Sequence, residues 1–422
     1  DNITGYIDTP EYVVKSNTNG TAIIGSISYT NLNPNAVYVA TRQRLTPAFT
    51  TAESNVYKVT AFAHNAFSGC KLITGIYLPK TLTSIGSSAF YNCNALNKVN
   101  CYSFNSWMNI NFSSTPLNGT KNLYFEDCSN AYNEAELNLS NYSKINAYSF
   151  YNWSNLQSVI LPDNLSSIPQ YTFYGCSNLT SITIPNSVNS IGENAFYECK
   201  NIKELHIGDV ANWLGIGFKT SSSNPLYSAS NVKLYVNNEE KQEITAKDFG
   251  SVTSIPQYAF RGCSNLTSVT IPEGVTSLPQ EAFRYCSSLT SITIPSSVIK
   301  INKDVFSGCS NLTSITIPEG VTSISAATFF ECSNLISVTI PSSVTSIGSY
   351  AFYGCSSLES ITIPSSVTII GSYAFYGCGS LESITIPEGV IRIDNSTFRN
   401  CSKLTNLDVS RFNTSQVTNM IS

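Results

Sequence analysis

The 422-residue sequence predicts a repeat solenoid, mostly β with short helical turns, and three observations carry that prediction. Cysteines recur at a fixed step: Cys263, Cys286, Cys309, Cys332, Cys355, Cys378 and Cys401 lie 23 residues apart, as do Cys70 and Cys93, and Cys176 and Cys199. Trp153 takes a cysteine's place 23 residues before Cys176, which makes twelve stations, and a phenylalanine stands three residues before every one, from Phe67 to Phe398. Downstream of the stations runs an L-x-x-I-x-I-P pattern, as in Leu312, Ile315, Ile317 and Pro318. A unit this short cannot bury its apolar side alone, but stacked copies share one core.

Composition sets the outer limits. With 42% hydrophobic and 11% aromatic residues the chain can fill a large core. Only 12% of residues are charged, against roughly 25% in an ordinary soluble domain, and 23 Lys plus Arg face 27 Asp plus Glu for a formal charge of −4. That balance excludes a nucleic-acid binder acting through bulk positive charge. Ser, Thr and Asn supply the polar surface instead. No run of about 18 apolar residues occurs, so no membrane span is expected. The chain opens at Asp1 without a charged-then-apolar leader, and an export signal is expected to have been removed or to be lacking.

Taken in order, residues 1–48 lack the period. "EYVVKS" and "TAIIGSISY" alternate like strands around the turn-like "NTNG", and an N-terminal cap rich in β structure is expected there. The array itself is expected over residues 49–410, beginning with a degenerate unit. Within a unit, the alternation of Ile292 and Ile294 around Thr293 reads as a strand with one buried face. Pro295 then ends it, because proline has no N–H for the ladder. A V-x-x-I stretch follows, as in Val344 and Ile347, then a turn, then the A-F-x-x-C segment, which has room for a short helical turn only.

The spacing is that of leucine-rich repeats, whose units run 20–29 residues. More closely, "LISVTIPSSVTSIGSYAFYGCSSL" resembles the BspA-like class of leucine-rich repeats. The resemblance implies a right-handed solenoid and a surface protein of bacteria or mucosal parasites that adheres to host proteins, matrix or other cells. It also implies a protein or glycoprotein ligand, a monomeric chain and no cofactor. Cys stands here where longer repeat types carry Asn.

Two links break the period, about residues 94–153 and 200–263. "SWMNINFSSTPL" with "NLYFED" in the first matches "NWLGIGFKTSSSNPL" with "KLYVNN" in the second, so one long variant unit occurs twice. Residues 411–422 look like the start of a different repeat and are expected to act as a C-terminal cap.

Catalysis needs titratable groups held close together, and the two histidines, His64 and His206, fall in different units. No G-x-S-x-G, H-E-x-x-H, P-loop or paired C-x-x-C occurs. The cysteine column reads as buried thiols in the place of a small hydrophobe. A non-enzymatic binding protein is therefore expected, with a stalk or spacer as the alternative. The outward columns of the regular units are Ser268, Ser291 and Ser314 beside Thr270, Thr293 and Thr316, which is ordinary sheet chemistry. Variation concentrates in the N-terminal half, where the candidate binding residues are Lys98, Trp107, Lys203, Glu204, His206 and Trp213. The tryptophans carry two readings: exposed anchors, or packing that holds the extra chain of the long units. A stripe two residues before the stations, including Tyr151, Tyr174, Arg261, Arg284, Tyr353 and Tyr376, reads as mutual stacking or as a second binding strip.

Overall fold

A computed structural model describes residues 14–16, 21–24, 58–72, 74–78, 80–114, 122–125 and 135–408. They fall into two compact units: one takes the residues up to Ser158 with Ile168–Leu179 and Gly192–Cys199, the other Val159–Ser167, Thr180–Ile191 and those from Lys200 on. Both are β-solenoid, and each coil has three sides.

The first side is the expected strand. Ser268–Thr270 pairs in parallel with Ser291–Thr293, Ser314–Thr316 with Ser337–Thr339, and Ser383–Thr385 with Asn406–Asp408, always 23 residues out of phase. Val269, Ile315 and Ile384 point inward while Thr270, Thr293, Thr316 and Thr385 are exposed. The second side is a further parallel ladder that the sequence pattern left undefined. Ser323–Ile324, Ser346–Ile347, Ile369–Ile370 and Arg392–Ile393 make a four-stranded sheet from the V-x-x-I stretches.

The third side is the A-F-x-x-C segment. It has the tight i to i+3 hydrogen bonds of a helical turn but not the continuous ladder of a helix. Ala351, Tyr353 and Cys355 donate their N–H groups within their own turn, to Gly348, Tyr350 and Phe352. The residues between them, Tyr350, Phe352 and Gly354, donate instead to Ser372, Ala374 and Tyr376 of the next rung, at 2.8–2.9 Å. This alternation requires the backbone to reverse twice, and at all twelve stations the residues five and one before the station have positive φ, as at Tyr350 (φ 59) and Gly354 (φ 70). Left-handed backbone is unfavourable by about 1–2 kcal/mol for a residue with a Cβ; the bonds to the next rung offset it.

Inside, the phenylalanines form stacked columns. Phe283, Phe306 and Phe329 follow one another at 6.0 and 5.6 Å with rings within 13° of parallel, and all are fully buried. In the other unit Phe150, Phe173 and Phe196 repeat the arrangement at 5.4 Å. The stations lie beside them. Cys309, Cys332, Cys355 and Cys378 are buried free thiols, and each Sγ donates to the carbonyl of the phenylalanine 26 residues earlier at 3.1–3.2 Å. Hydroxyls act the same way at the rim: Ser333 and Ser356 donate to Ser310 and Ser333 carbonyls, and Thr345 and Thr368 to those of Thr322 and Thr345. Ser and Thr thus satisfy main-chain acceptors between rungs, which is how the array stays polar at its rim with so little charge.

At the N-terminal end Val14–Ser16 pairs antiparallel with Thr21–Ile24, and Thr21–Ile24 pairs in parallel with Lys58–Phe62. The rest of the segment expected as a cap, and residues 411–422, lie outside the described residues.

Candidate functional site

The two long units break the uniformity of the array, and each carries a short helix just after its first strand. α1 (Phe104–Met108) starts at Ser103, whose side chain accepts from Ser106 N; α2 (Val210–Leu214) starts at Asp209, which accepts from Asn212 N. Such side-chain acceptors satisfy N–H groups left open at a helix start. Both helices stand where a regular coil has its proline, and both lead into a strand of the second ladder: Asn111–Phe112 beside Ser84–Ile85, and Gly217–Phe218 beside Ser190–Ile191.

Here the structure corrects two candidates. Trp107 and Trp213 are 0% and 1% exposed, and neither can touch a partner. Trp107 packs on Phe112 at 4.8 Å and donates Nε1–H to the Ser149 carbonyl at 2.9 Å. Trp213 meets Phe218 edge-on at 5.4 Å and donates to the Ala259 carbonyl at 2.8 Å. Each indole ties the extra chain of its long unit to the turn segment of a following rung. The matching "SWMNINF" and "NWLGIGF" segments already held that reading.

The other four candidates lie at the strands of the first side. In the second compact unit, Ser181–Ile184, Glu204–Ile207 and Lys233–Val236 are paired in parallel, and Glu239–Glu240 folds back antiparallel on the last. Register puts Glu204 beside Lys233 and His206 between Thr183 and Tyr235. The His206 ring lies on the Tyr235 ring at 4.5 Å and 7°, and its Nε2 is 3.3 Å from Glu204 Oε2. Lys203, exposed, donates to the Ser230 carbonyl at 3.0 Å, and Lys233 Nζ stands 3.5 Å from Glu240. Lys203, Glu204, His206, Lys233, Tyr235 and Glu240 therefore share one patch, and Lys233 and Glu240 are the members that the sequence did not point to. Lys233 and Glu240 sit in the non-repeating part of the long unit, where no period marks which way they point.

In the first compact unit the corresponding strands are Lys98–Cys101 and Asn122–Phe125. Lys98 holds its ammonium 4.3 Å from the centroid of the Tyr124 ring. Asn100, in the place of His206, is buried and donates to the Ile76 carbonyl at 3.3 Å. The two patches therefore differ in charge: a cation over an aromatic ring in one, a mixed acid and base set in the other.

The tyrosine and arginine stripe resolves as mutual contact. Tyr151 and Tyr174 stack at 4.6 Å, Tyr353 and Tyr376 at 4.8 Å. Arg261 and Arg284 close on Glu281 at 3.0 and 3.2 Å, and Arg261 also donates to the Leu226 and Tyr227 carbonyls. Burial, partly countered by Arg284, holds the Asp304 carboxyl above the usual carboxylate range.

The family of BspA type leucine-rich repeat regions matches this chain in six copies, over residues 51–130, 120–223, 233–344 and 322–421. The chain belongs to the BspA-type leucine-rich repeat family. Among solved structures, this BspA-type chain is similar to a leucine rich cell surface protein from Faecalibacterium prausnitzii, with 23% identity, 98% of each chain covered and a TM-score of 0.47. A leucine-rich repeat protein from Bacteroides ovatus gives 24% identity over 94% of this chain and 98% of that one, with a TM-score of 0.45. The pneumococcal vaccine antigen PcpA gives 17% identity over 86% and 91%, with a TM-score of 0.39. No curated protein sequence matches the chain.

Chemically, the sheet patch around His206 offers hydrogen-bond donors and acceptors of both signs beside a flat aromatic pair, and the one around Lys98 a cation over a single ring. The thiols are the wrong groups for nucleophilic work: burial pushes Cys286, Cys309, Cys332 and Cys355 well above the ordinary thiol range, whereas a reactive cysteine needs a lowered one. Among the described residues, no cluster of His, Cys, Asp and Glu is placed to hold a metal ion, and no helix is long and apolar enough to cross a membrane.

Proposed function

We propose that this chain is a non-enzymatic cell-surface or secreted binding protein, an adhesin that contacts a protein or glycoprotein of host, matrix or neighbouring cell. The observation that supports this reading most is the sheet patch of Lys203, Glu204, His206, Lys233, Tyr235 and Glu240. It sets charged groups of both signs and aromatic groups together, whereas the outward strand positions of the regular rungs from Ser268 to Thr385 are Ser and Thr. A partner would be held through complementary charge and the edge of the His206–Tyr235 stack, the kind of local anchor on which binding energy concentrates. Lys98 over Tyr124, in the first compact unit, is a separate candidate contact.

Replacing Lys203, Glu204 and His206 together with alanine is expected to abolish saturable binding to mucosal or matrix extracts while leaving thermal unfolding unchanged. Unchanged binding would move the contact to another face. The uniformity of the rungs from Cys263 to Cys401 favours a second reading, a stalk that carries another module outward; a wild-type chain without any saturable partner would support it.

A further inference from the structure

Four rungs carry tyrosine at two neighbouring columns of the turn, five and two residues before the station, and they come as two consecutive pairs whose tyrosines face one another. In one compact unit Tyr148 stacks on Tyr171 at 4.9 Å and 4°, and Tyr151 on Tyr174 at 4.6 Å and 3°. The other unit repeats this with Tyr350 and Tyr373 at 5.0 Å, and Tyr353 and Tyr376 at 4.8 Å, both at 3°. The stacks are held from below. Tyr148, Tyr171, Tyr350 and Tyr373 sit in left-handed backbone, and their N–H groups donate to Gln170, Glu193, Ser372 and Asn395 of the next rungs. The rings are half-buried, and Tyr350 is 39% exposed. The thiols of the same rungs, Cys176, Cys355 and Cys378, which would ordinarily be oxidised first, lie behind them, fully buried.

We propose that these tyrosine pairs are sites of oxidative cross-linking: when the chain meets hydrogen peroxide and a haem peroxidase, rings 23 residues apart become joined as dityrosine. The peroxidase takes one electron and one proton from each of two phenols. The two radicals couple through a new carbon–carbon bond between ring carbons next to the phenol oxygens. The hydrogen on each of those carbons then moves to the oxygen of its own ring as the rings regain aromaticity, which restores both phenols. Two hydrogen atoms leave the chain, one peroxide is reduced, and two waters form. The product is a covalent tie between adjacent rungs.

The test uses the whole chain, dilute, with hydrogen peroxide and a haem peroxidase, followed by cleavage at Asp163 and Glu359 between the paired tyrosines and mass spectrometry. The expected product is a monomer in which the peptides carrying Tyr151 and Tyr174, and those carrying Tyr353 and Tyr376, are joined with the loss of two hydrogens. A variant with Tyr171→Phe, Tyr174→Phe, Tyr373→Phe and Tyr376→Phe is expected to lose the rung-to-rung product and to keep its thermal unfolding. Phe330 already occupies this column, stacked on Tyr353 at 4.8 Å, so a phenyl ring is accepted there. Tyr91 is 54% exposed with Ser68 in its column on the preceding rung. Cross-links that join separate chains through Tyr91, an unchanged product in the variant, or no dityrosine under conditions that couple free tyrosine would each overturn the proposal.

Discussion

At Phe306 the burial, the period and the stacking all concern one side chain. It touches its own copies, Phe283 and Phe329, above and below, and has no contact with water. Phe306→Ala is expected to cost about 3–5 kcal/mol, the range for a fully buried aromatic, as measured by urea unfolding; a much smaller loss would place the column outside the core. Cys309 was legible as a buried group from its spacing, but its bond to the Phe283 carbonyl was not, since spacing gives depth and not the direction of an S–H. The candidate site divides the same way. His206 and Glu204 were found because they interrupt a Thr and Ser column. Trp107 and Trp213 left two readings open because an indole suits an anchor as well as a packing post, and the matching segments alone do not say which side of the unit is inward.

The turn segment shows what rung geometry demands of individual residues. Gly371 faces the rung before it so closely that a Cβ would lie 2.5 Å from Ser349 N, whereas at Gly377, left-handed at φ 73, the nearest atom would be 3.7 Å away. Gly377→Ala is therefore expected to cost about 1–2 kcal/mol, the strain of one left-handed residue. Gly371→Ala should cost clearly more, because two main chains must separate. Thermal unfolding of the two variants orders them, and the reverse order would contradict the packing of this side. Strand and proline positions were legible because alternation and a missing N–H act locally. Of the paired left-handed positions, the one before the station is Gly or Asn on nine of twelve rungs, but the one five before it is Tyr, Glu, Asp, Ala or Ser on ten of twelve and was not legible. None of those residue types signals the conformation; bonds to a rung 23 residues away impose it.

Over the whole molecule the thiols add up to a pH dependence. From Cys176 to Cys378 burial holds eight of them protonated far above the ordinary range. Below about pH 8.5, the ordinary thiol pKa, folded and unfolded chains bind these protons equally and stability does not respond. Above it the unfolded chain releases them while the folded chain cannot, so stability falls as pH rises. The urea midpoint is expected to hold steady from about pH 7 to 8 and then drop toward pH 10. Replacing Cys286, Cys309 and Cys332 with alanine should make that drop shallower; an equal slope would assign it to other groups. The bonds between rungs have a different consequence. Thiols, hydroxyls and turn amides in the regular stretch reach partners 22 to 26 residues away. If one 23-residue block were spliced out or copied in, the ends on either side would meet groups of the same kind at the same height. Recombination within the coding sequence could therefore change the number of coils without spoiling the fit of those that remain.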